Sequence, residues 1–241
     1  MQPTKMNTSF LYAVVLMILI SLGLALFLRS SAFTVQHVTI QGLKLSPESE
    51  ILKLANGVQG QNLFLYDKEA LEQKITIHPL VKSVQFQRKL PHTLVVIVTE
   101  RAPVALIVVP KGVLEVDAEG TFLRRLESWP KVDHPVLTGI NLKDTVGPGQ
   151  SLANPALTLS LNLLGQAPPD LLSQMGELNV NPKQQMTLYL RSGVEVRLGQ
   201  ATDWKPKLNA LYQLISDNEY KSFQQGVKYI DFTAAKPVIG R

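Results

Sequence analysis

The feature that most constrains this chain is a run without a single charge near its start, Phe10 to Leu28, reading FLYAVVLMILISLGLALFL. As an α-helix rising ~1.5 Å per residue, these roughly 19 residues span close to 30 Å, the thickness of a bilayer's hydrocarbon layer. A cleavable signal peptide is the competing explanation, because Ser30-Ser31-Ala32 places small residues where cleavage would fall. The apolar stretch of such a peptide, however, runs only about 7 to 15 residues. Residues 10–28 are therefore expected to be an uncleaved transmembrane helix, with residues 1–9 as a short cytoplasmic tail. Charge decides little about orientation, since Lys5 and the α-amino group flank one end and Arg29 and Lys44 the other. The shortness of the leading tail favours keeping it inside, which exports everything from Arg29 onward. The expectation is a single-pass protein of the cytoplasmic (inner) membrane with an extracytoplasmic C-terminal part.

Composition narrows the class of that part. With 45% hydrophobic and 18% charged residues, and Gly and Pro at 15 each, the chain is neither disordered, collagenous nor a bare coiled coil. The net charge of +5 is spread without a run of like charges, so no nucleic-acid partner is expected. The absence of Cys removes disulfides, thiolate zinc sites and cysteine nucleophiles together.

Hydrophobic periodicity divides the exported part in two. Val35 to Gln41 alternates as a half-buried strand and ends at Gly42. Ser46 before Pro47 and Glu48 reads as an N-cap opening a helix that carries Ile51, Leu52, Leu54 and Ala55 and closes at Asn56-Gly57. Asp67 caps a second helix with Leu71 and Ile75 at i, i+4, stopped by Pro79. Strands Val81 to Gln87 and Thr93 to Thr99 follow, giving β-α-α-β-β. Beyond Pro103 come short strands at Val104 to Val109, Val113 to Val116 and Thr121 to Leu126, turning at Pro110-Lys111-Gly112 and at Asp117 to Gly120, as in an antiparallel meander. Asn154-Pro155 caps a helix through Leu164 that Pro168-Pro169 breaks. Strands near Leu178 to Val180, Met186 to Leu190 and Val194 to Leu198 precede a helix capped by Thr202, whose Trp204, Leu208, Leu211, Tyr212 and Ile215 share one face. A last strand, Val227 to Thr233, leads into a short tail.

Chemistry is sparse. His37, His78, His92 and His134 are isolated in sequence and lack metal-ligand spacing. No G-x-S-x-G, S-x-x-K or phosphate-cradling glycine loop is present. Asp117 and Glu119 could be imagined as a catalytic pair, but in Asp117-Ala118-Glu119-Gly120 they fit a hairpin turn better. The expectation is no catalytic residue, no metal, no cofactor and no small-molecule substrate.

Several motifs resemble one family. Gly42 after the first strand, Asn62-Leu63-Phe64 before the second helix, Pro79-x-Val81 after it, Arg88-x-x-Pro91-x-Thr93-Leu94 across the hairpin, and Glu100-Arg101-x-Pro103-Val104-Ala105 at the exit resemble the FtsQ-type POTRA domain of the FtsQ/DivIB cell-division family. Val116-Asp117-Ala118-Glu119-Gly120-Thr121-Phe122 is similar to that family's V-D-x-x-G-x-F hairpin, His134 to Gly139 to its L-P-x-L-x-G segment, and Tyr229-Ile230-Asp231-Phe232 to its terminal strand. Residues 155–172 match no motif.

The resemblance implies an α+β protein: a transmembrane helix, a POTRA domain over residues 33–102 and a mainly antiparallel β domain with flanking helices over 103–241. Leu63 and Phe64 would plug the POTRA core, Pro79 would stop the helix and Pro91 would set the hairpin turn. It further implies a non-enzymatic divisome scaffold at the division septum, which links early and late division proteins and helps control septal peptidoglycan synthesis. Its partners would be FtsB-like and FtsL-like single-span proteins and, through them, the peptidoglycan synthases. A partner strand would add to an edge formed by Tyr229, Ile230, Asp231, Phe232 and Thr233, with Ile230 and Phe232 facing the core and Tyr229 available. Two alternatives are a POTRA adaptor in outer-membrane protein assembly or secretion, and a membrane-anchored wall hydrolase.

The length of the apolar run predicts that the protein purified from membranes keeps its first residues. N-terminal sequencing that begins at Phe33 would show the segment to be a cleaved signal.

Overall fold

The computed structural model of the chain describes residues 8–110, 112–129, 134–142, 146–200, 203–234 and 236–241. An α-helix, α1 (Thr8–Leu28), comes first, almost wholly apolar and with hydropathy high enough to cross a membrane. Contacts then divide the chain into a unit ending at Glu100 and a second beginning at Arg101.

In the first unit β1 (His37–Gln41) is followed by α2 (Glu48–Ala55), α3 (Lys68–Thr76), β2 (Val81–Lys89) and β3 (Thr93–Glu100). The sheet order is β1-β3-β2, with β1 parallel and β2 antiparallel to β3. The helices pack Ile51, Ala55, Leu71 and Ile75 against Leu94, Val96 and Val98 of the central strand, all buried. Each large aliphatic side chain so removed from water contributes about 1.5–3 kcal/mol. Asp67 caps α3, its Oδ1 accepting from the Ala70 N–H at 2.9 Å. Two local expectations change. Val35 is buried but lies outside β1, because its main chain pairs with Gly60 and Gln61 instead. Pro47, not Ser46, occupies the N-cap of α2, and the Ser46 N–H goes to the carboxylate of Glu100.

Among its described residues the second unit holds a nine-stranded open sheet. Its strands are β4 (Pro103–Val109), β5 (Gly112–Asp117), β6 (Phe122–Leu126), β7 (Val136–Thr138), β8 (Met175–Val180), β9 (Gln185–Leu190), β10 (Glu195–Gln200), β11 (Tyr229–Asp231) and β12 (Val238–Gly240). Their spatial order is β12-β11-β10-β9-β8-β7-β4-β5-β6. Pairing is antiparallel except at β4/β7, β7/β8 and β10/β11. The long helices α4 (Pro155–Gln166) and α6 (Trp204–Ser216) add Leu157, Leu163, Trp204, Leu208 and Leu211 to the core of this unit. The short α5 (Pro169–Leu172) and α7 (Asn218–Phe223) are the other α-helices among the described residues of this unit. Asn154 caps α4 through the Leu157 N–H. Thr202 and Lys111 lie outside the described residues; the N-cap of α6 is Asp203.

The largest departure from the sequence reading is at the C-terminus. Tyr229 to Thr233 is not an edge: β11 pairs with β10 on one side and with β12 on the other. Residues 238–240, read as tail, form the strand that ends the sheet.

Gly42 follows β1 at φ +90°, and a Cβ there would lie 2.1 Å from the Val98 carbonyl oxygen. Gly60 is also left-handed, at φ +83°, but has open space around it. Gly42→Val is therefore expected to cost about 3 kcal/mol or more, and Gly60→Ala, which adds only strain, about 1 kcal/mol. Equal losses in thermal unfolding would refute the close-approach argument. Glu100 supplies a second test. Burial raises its pKa, but the Ser46 side chain and the N–H groups of Leu45, Lys44 and Ser46 together outweigh this and hold it below the usual value. Its contribution is thus fully present above the ordinary carboxylate range and fades as pH falls through the lowered pKa. The stability gap between the parent and Glu100→Gln should close below about pH 4, and a pH-independent gap would contradict this.

Candidate functional site

The motif residues of the first unit gather around its entry and exit. Asn62 bridges backbone segments, its Nδ2 donating to the Leu28 carbonyl at 2.9 Å and its Oδ1 accepting from the Phe64 N–H at 2.9 Å. Leu63 is fully buried. Phe64 is half-buried and sits edge-on to Phe33, so it lines the rim of the core. Arg88 donates through Nε to the Leu63 carbonyl at 2.8 Å and lies 5.5 Å from the centre of the Phe64 ring. Pro79 follows α3, and Pro91 stands in the β2–β3 turn after a cis peptide bond. Thr93 opens β3 opposite both His37 and Lys89, and Leu94 is fully buried.

At the exit, the Glu100 carboxylate accepts from the N–H groups of Lys44 (2.7 Å), Leu45 (2.8 Å) and Ser46 (2.8 Å). Arg101 turns to the next hairpin, where its Nη1 donates to Asp117 (2.7 Å), Glu119 (2.8 Å) and Thr121 (3.2 Å). Asp117 also accepts from the N–H groups of Glu119 and Thr121, so both acids hold the turn. Pro103 opens β4 beyond. His78 lies 3.1 Å from Glu50 and His92 3.3 Å from the Thr34 carbonyl. Among the described residues no three His, Asp or Glu side chains cluster in a way that could hold a metal.

The C-terminal end of the large sheet has a different character. Its inward face carries Leu188, Val196, Ile230 and Phe232, all buried. Its outward face presents two registered rows, Tyr189–Glu195–Tyr229–Gly240 and Thr187–Arg197–Asp231–Val238. Arg197 stacks its guanidinium 4.4 Å from the Tyr229 ring and donates to Glu195 at 2.7 Å. The Tyr229 ring covers Gly240, where any Cβ would collide with it. Tyr229 is thus half-buried beneath Arg197. Asp231 accepts from both the hydroxyl and the N–H of Thr233, and these bonds lower its pKa.

Main-chain direction at this end follows from the bonds that bracket Ile230. Glu195 N–H donates to the Lys228 carbonyl (3.0 Å) and Phe232 N–H to the Arg197 carbonyl (2.8 Å), which turns Ile230 toward β10, while the Lys228 N–H donates to the Gly240 carbonyl (2.9 Å) on the β12 side. Along a strand these groups alternate sides, and Tyr229 and Asp231 therefore turn theirs to Gly240 and Val238. Ile239, between them, is left with its N–H and C=O on the open side. Next to it, Ala210, Leu214, Pro237 and Ile239, with Gln213, Asp217 and Lys236, line a groove of about 510 Å³. Sequence reasoning missed this strand; its one signal was the short apolar pair Val238-Ile239 after Pro237.

Comparison with known proteins places these features. Residues 33–101 match the family model of the FtsQ-type POTRA domain, and residues 105–232 that of the C-terminal part of cell division protein FtsQ/DivIB. The cell division protein FtsQ of Anaeromyxobacter sp. (strain K) is 30% identical over 214 residues, covering 88% of this chain and 72% of that protein. That of Myxococcus fulvus is 34% identical over 188 residues, 76% of this chain and 64% of that protein. The extracytoplasmic domain of DivIB from Geobacillus stearothermophilus aligns with 49% of this chain and 91% of that chain, at 18% identity and a TM-score of 0.34. Since the two family models lie in order across most of its length, the chain belongs to the FtsQ/DivIB family of cell division proteins.

Proposed function

We propose that this protein is a membrane-anchored, non-enzymatic scaffold of the divisome that docks an FtsB-like partner by strand addition at β12. What carries this is the place of β12 at the end of the sheet beside an apolar groove, with the register that turns the N–H and C=O of Ile239 away from β11 and toward no other strand among the described residues. An extended segment laid against β12 would form main-chain bonds there, and its inward side chains would enter the groove over Ala210 and Leu214. The Arg197–Tyr229 stack on the outward face is positioned to meet its other side chains. FtsL-like proteins would be gathered with the FtsB-like one, which ties the scaffold to septal peptidoglycan synthesis and links early with late division proteins. The exported units lie at the septum in this reading, with the N-terminal tail in the cytoplasm. A role in outer-membrane assembly has less support, because both matched family models and the named relatives concern FtsQ-type division proteins.

The direction of each main-chain group makes the proline test specific. Ile230→Pro and Phe232→Pro remove donors that bind β10, and each should destabilise the fold by about 1–3 kcal/mol. Tyr229→Pro and Asp231→Pro should loosen β12 instead. Ile239→Pro removes a donor that no strand among the described residues uses, so thermal unfolding should change little while affinity for the FtsB-like partner drops about tenfold or more. If the folded Ile239→Pro protein binds as tightly as the parent in calorimetry, β12 is not the docking edge.

A further inference from the structure

The chain passes from α1 into the POTRA unit without a linker. Leu28, the last residue of α1, packs against the core of that unit, and its carbonyl accepts the Asn62 side-chain N–H. Phe27, Phe33 and Phe64 meet edge to face in series, with ring centres 5.2 Å apart at each step. The Leu63 N–H donates to the Phe33 carbonyl at 2.7 Å. A membrane helix whose final residue is built into a folded core holds one end of that fold at the bilayer surface.

Strand pairing shows which end this is. His37 at the start of β1 and Lys89 at the end of β2 both lie opposite Thr93. The β2–β3 turn therefore stands at the end of the sheet where the chain enters, and the Gln36 and His37 N–H groups donate to the His92 carbonyl there. Asn62, bridged to Thr34, brings the loop before α3 to the same end. Two leucines are bare on it, Leu65 at 57% and Leu90 at 59% exposure. The segments that build it, residues 29–36, 59–66 and 88–92, contain Arg29, Arg88 and Lys89 and no Asp or Glu. The next acid, Asp67, is used to cap α3. The acids Glu50 and Glu100 belong to the other end, with His78 and the loop after β1. Cations around exposed leucines, next to a membrane span, are the composition of an interfacial lipid contact.

We infer that this end of the POTRA unit is a binding surface for anionic phospholipid headgroups. Leu65 and Leu90 enter the boundary between headgroups and acyl chains, while Arg29, Arg88 and Lys89 meet the phosphates. Arg88 is well placed for this, since its bond to Leu63 and its position over the Phe64 and Tyr66 rings fix the guanidinium at the rim. The contact orients the unit on the membrane, separately from partner docking at β12, and it rests on α1 being a retained anchor.

The chain has no cysteine, so single introduced cysteines can be labelled uniquely. The full chain would be reconstituted in phosphatidylcholine vesicles with and without phosphatidylglycerol, carrying an environment-sensitive fluorophore at Leu65→Cys, Leu90→Cys, Leu19→Cys or Ile77→Cys. Ile77 is 72% exposed just beyond α3, before the start of β2 at the far end, and gives the aqueous reference. Labels at 65 and 90 are expected to be quenched by a shallow lipid-borne spin label, with about half or less of the iodide quenching seen at 77. The protection should grow with phosphatidylglycerol and shrink in the Arg29→Gln, Lys89→Gln double variant. Iodide quenching at 65 and 90 equal to that at 77, with the label at 19 deep in hydrocarbon, would overturn the proposal while leaving the anchor intact. A label at 19 open to iodide would overturn the anchor and the proposal together. Protection that arises only after FtsB-like and FtsL-like proteins are added would identify a protein contact and overturn lipid binding.

Discussion

Glu100 and Arg101 are consecutive, oppositely charged, and committed to different loops. The carboxylate gathers three successive N–H groups of the β1–α2 loop, of which only that of Ser46 belongs to a buried residue. The guanidinium holds the β5–β6 turn through Asp117 and Glu119, with Asp117 nearly buried. Burial lowers the pKa of Arg101, yet the two acids outweigh that and raise it, so the charge is fixed at any physiological pH. Hydrogen bonds to ionised groups are the stronger kind, which suits a position where one unit of the chain ends and the next begins. A neutral residue at position 100 would take the ionised acceptor from three N–H groups, and one at position 101 would leave the buried Asp117 without its cation.

The same economy of means appears where strands run parallel. Gly42 ends β1, which is parallel to β3, and Gly139 follows β7, which is parallel to β8. In each case the glycine is left-handed, and a Cβ would strike a carbonyl of the neighbouring strand, Val98 or Val180, at about 2 Å. The chain bends away from a parallel neighbour at the last paired residue, and only a residue without a side chain permits that approach. Two motifs that look unrelated in sequence, the glycine after the first strand and the glycine of Leu137-Thr138-Gly139, thus answer one steric problem.

The elements legible in the sequence are those whose signals are local. Asp67 and Asn154 cap helices because a short acceptor side chain reaches the third N–H beyond it, and Trp204 to Ile215 form a buried stripe because helical spacing brings them to one face. What was not legible depends on distant pairing. Nothing near Val136 announces that three residues will slot in parallel between β4 and β8. Pro47 stands at the N-cap of α2 in place of Ser46, and the Ser46 N–H is bonded to a carboxylate 54 residues away, a partner that no local pattern announces. Of the site, the inward positions Ile230 and Phe232 followed from alternation, but the edge itself did not. A strand as short as Val238–Gly240 has too few residues to show a period, and its glycine is explained only by the Tyr229 ring above it.

An open sheet has two ends, and both expose main-chain groups that a stray strand could pair with. At β6 the chain covers its own edge in part: Phe122 exchanges bonds with Gln150 and Gly149, and Thr121 bridges to Ser151. Beyond that patch β6 carries Arg124, which pairs with the buried Glu115, and Arg125, charges that discourage association between sheets. At β12 no such loop is laid across the strand among the described residues, and the protection is of another kind. The strand is three residues long, Pro237 precedes it, and Lys236 and Arg241 flank it. Short length and flanking charge suppress indiscriminate pairing, yet the Ile239 groups and the groove beside Leu214 stay accessible to a segment of the right shape. Under the proposed docking at β12, an edge both guarded and left open in this way would be selective, and selectivity at a sheet edge is what a protein needs if it is to take up one partner strand and refuse its own copies.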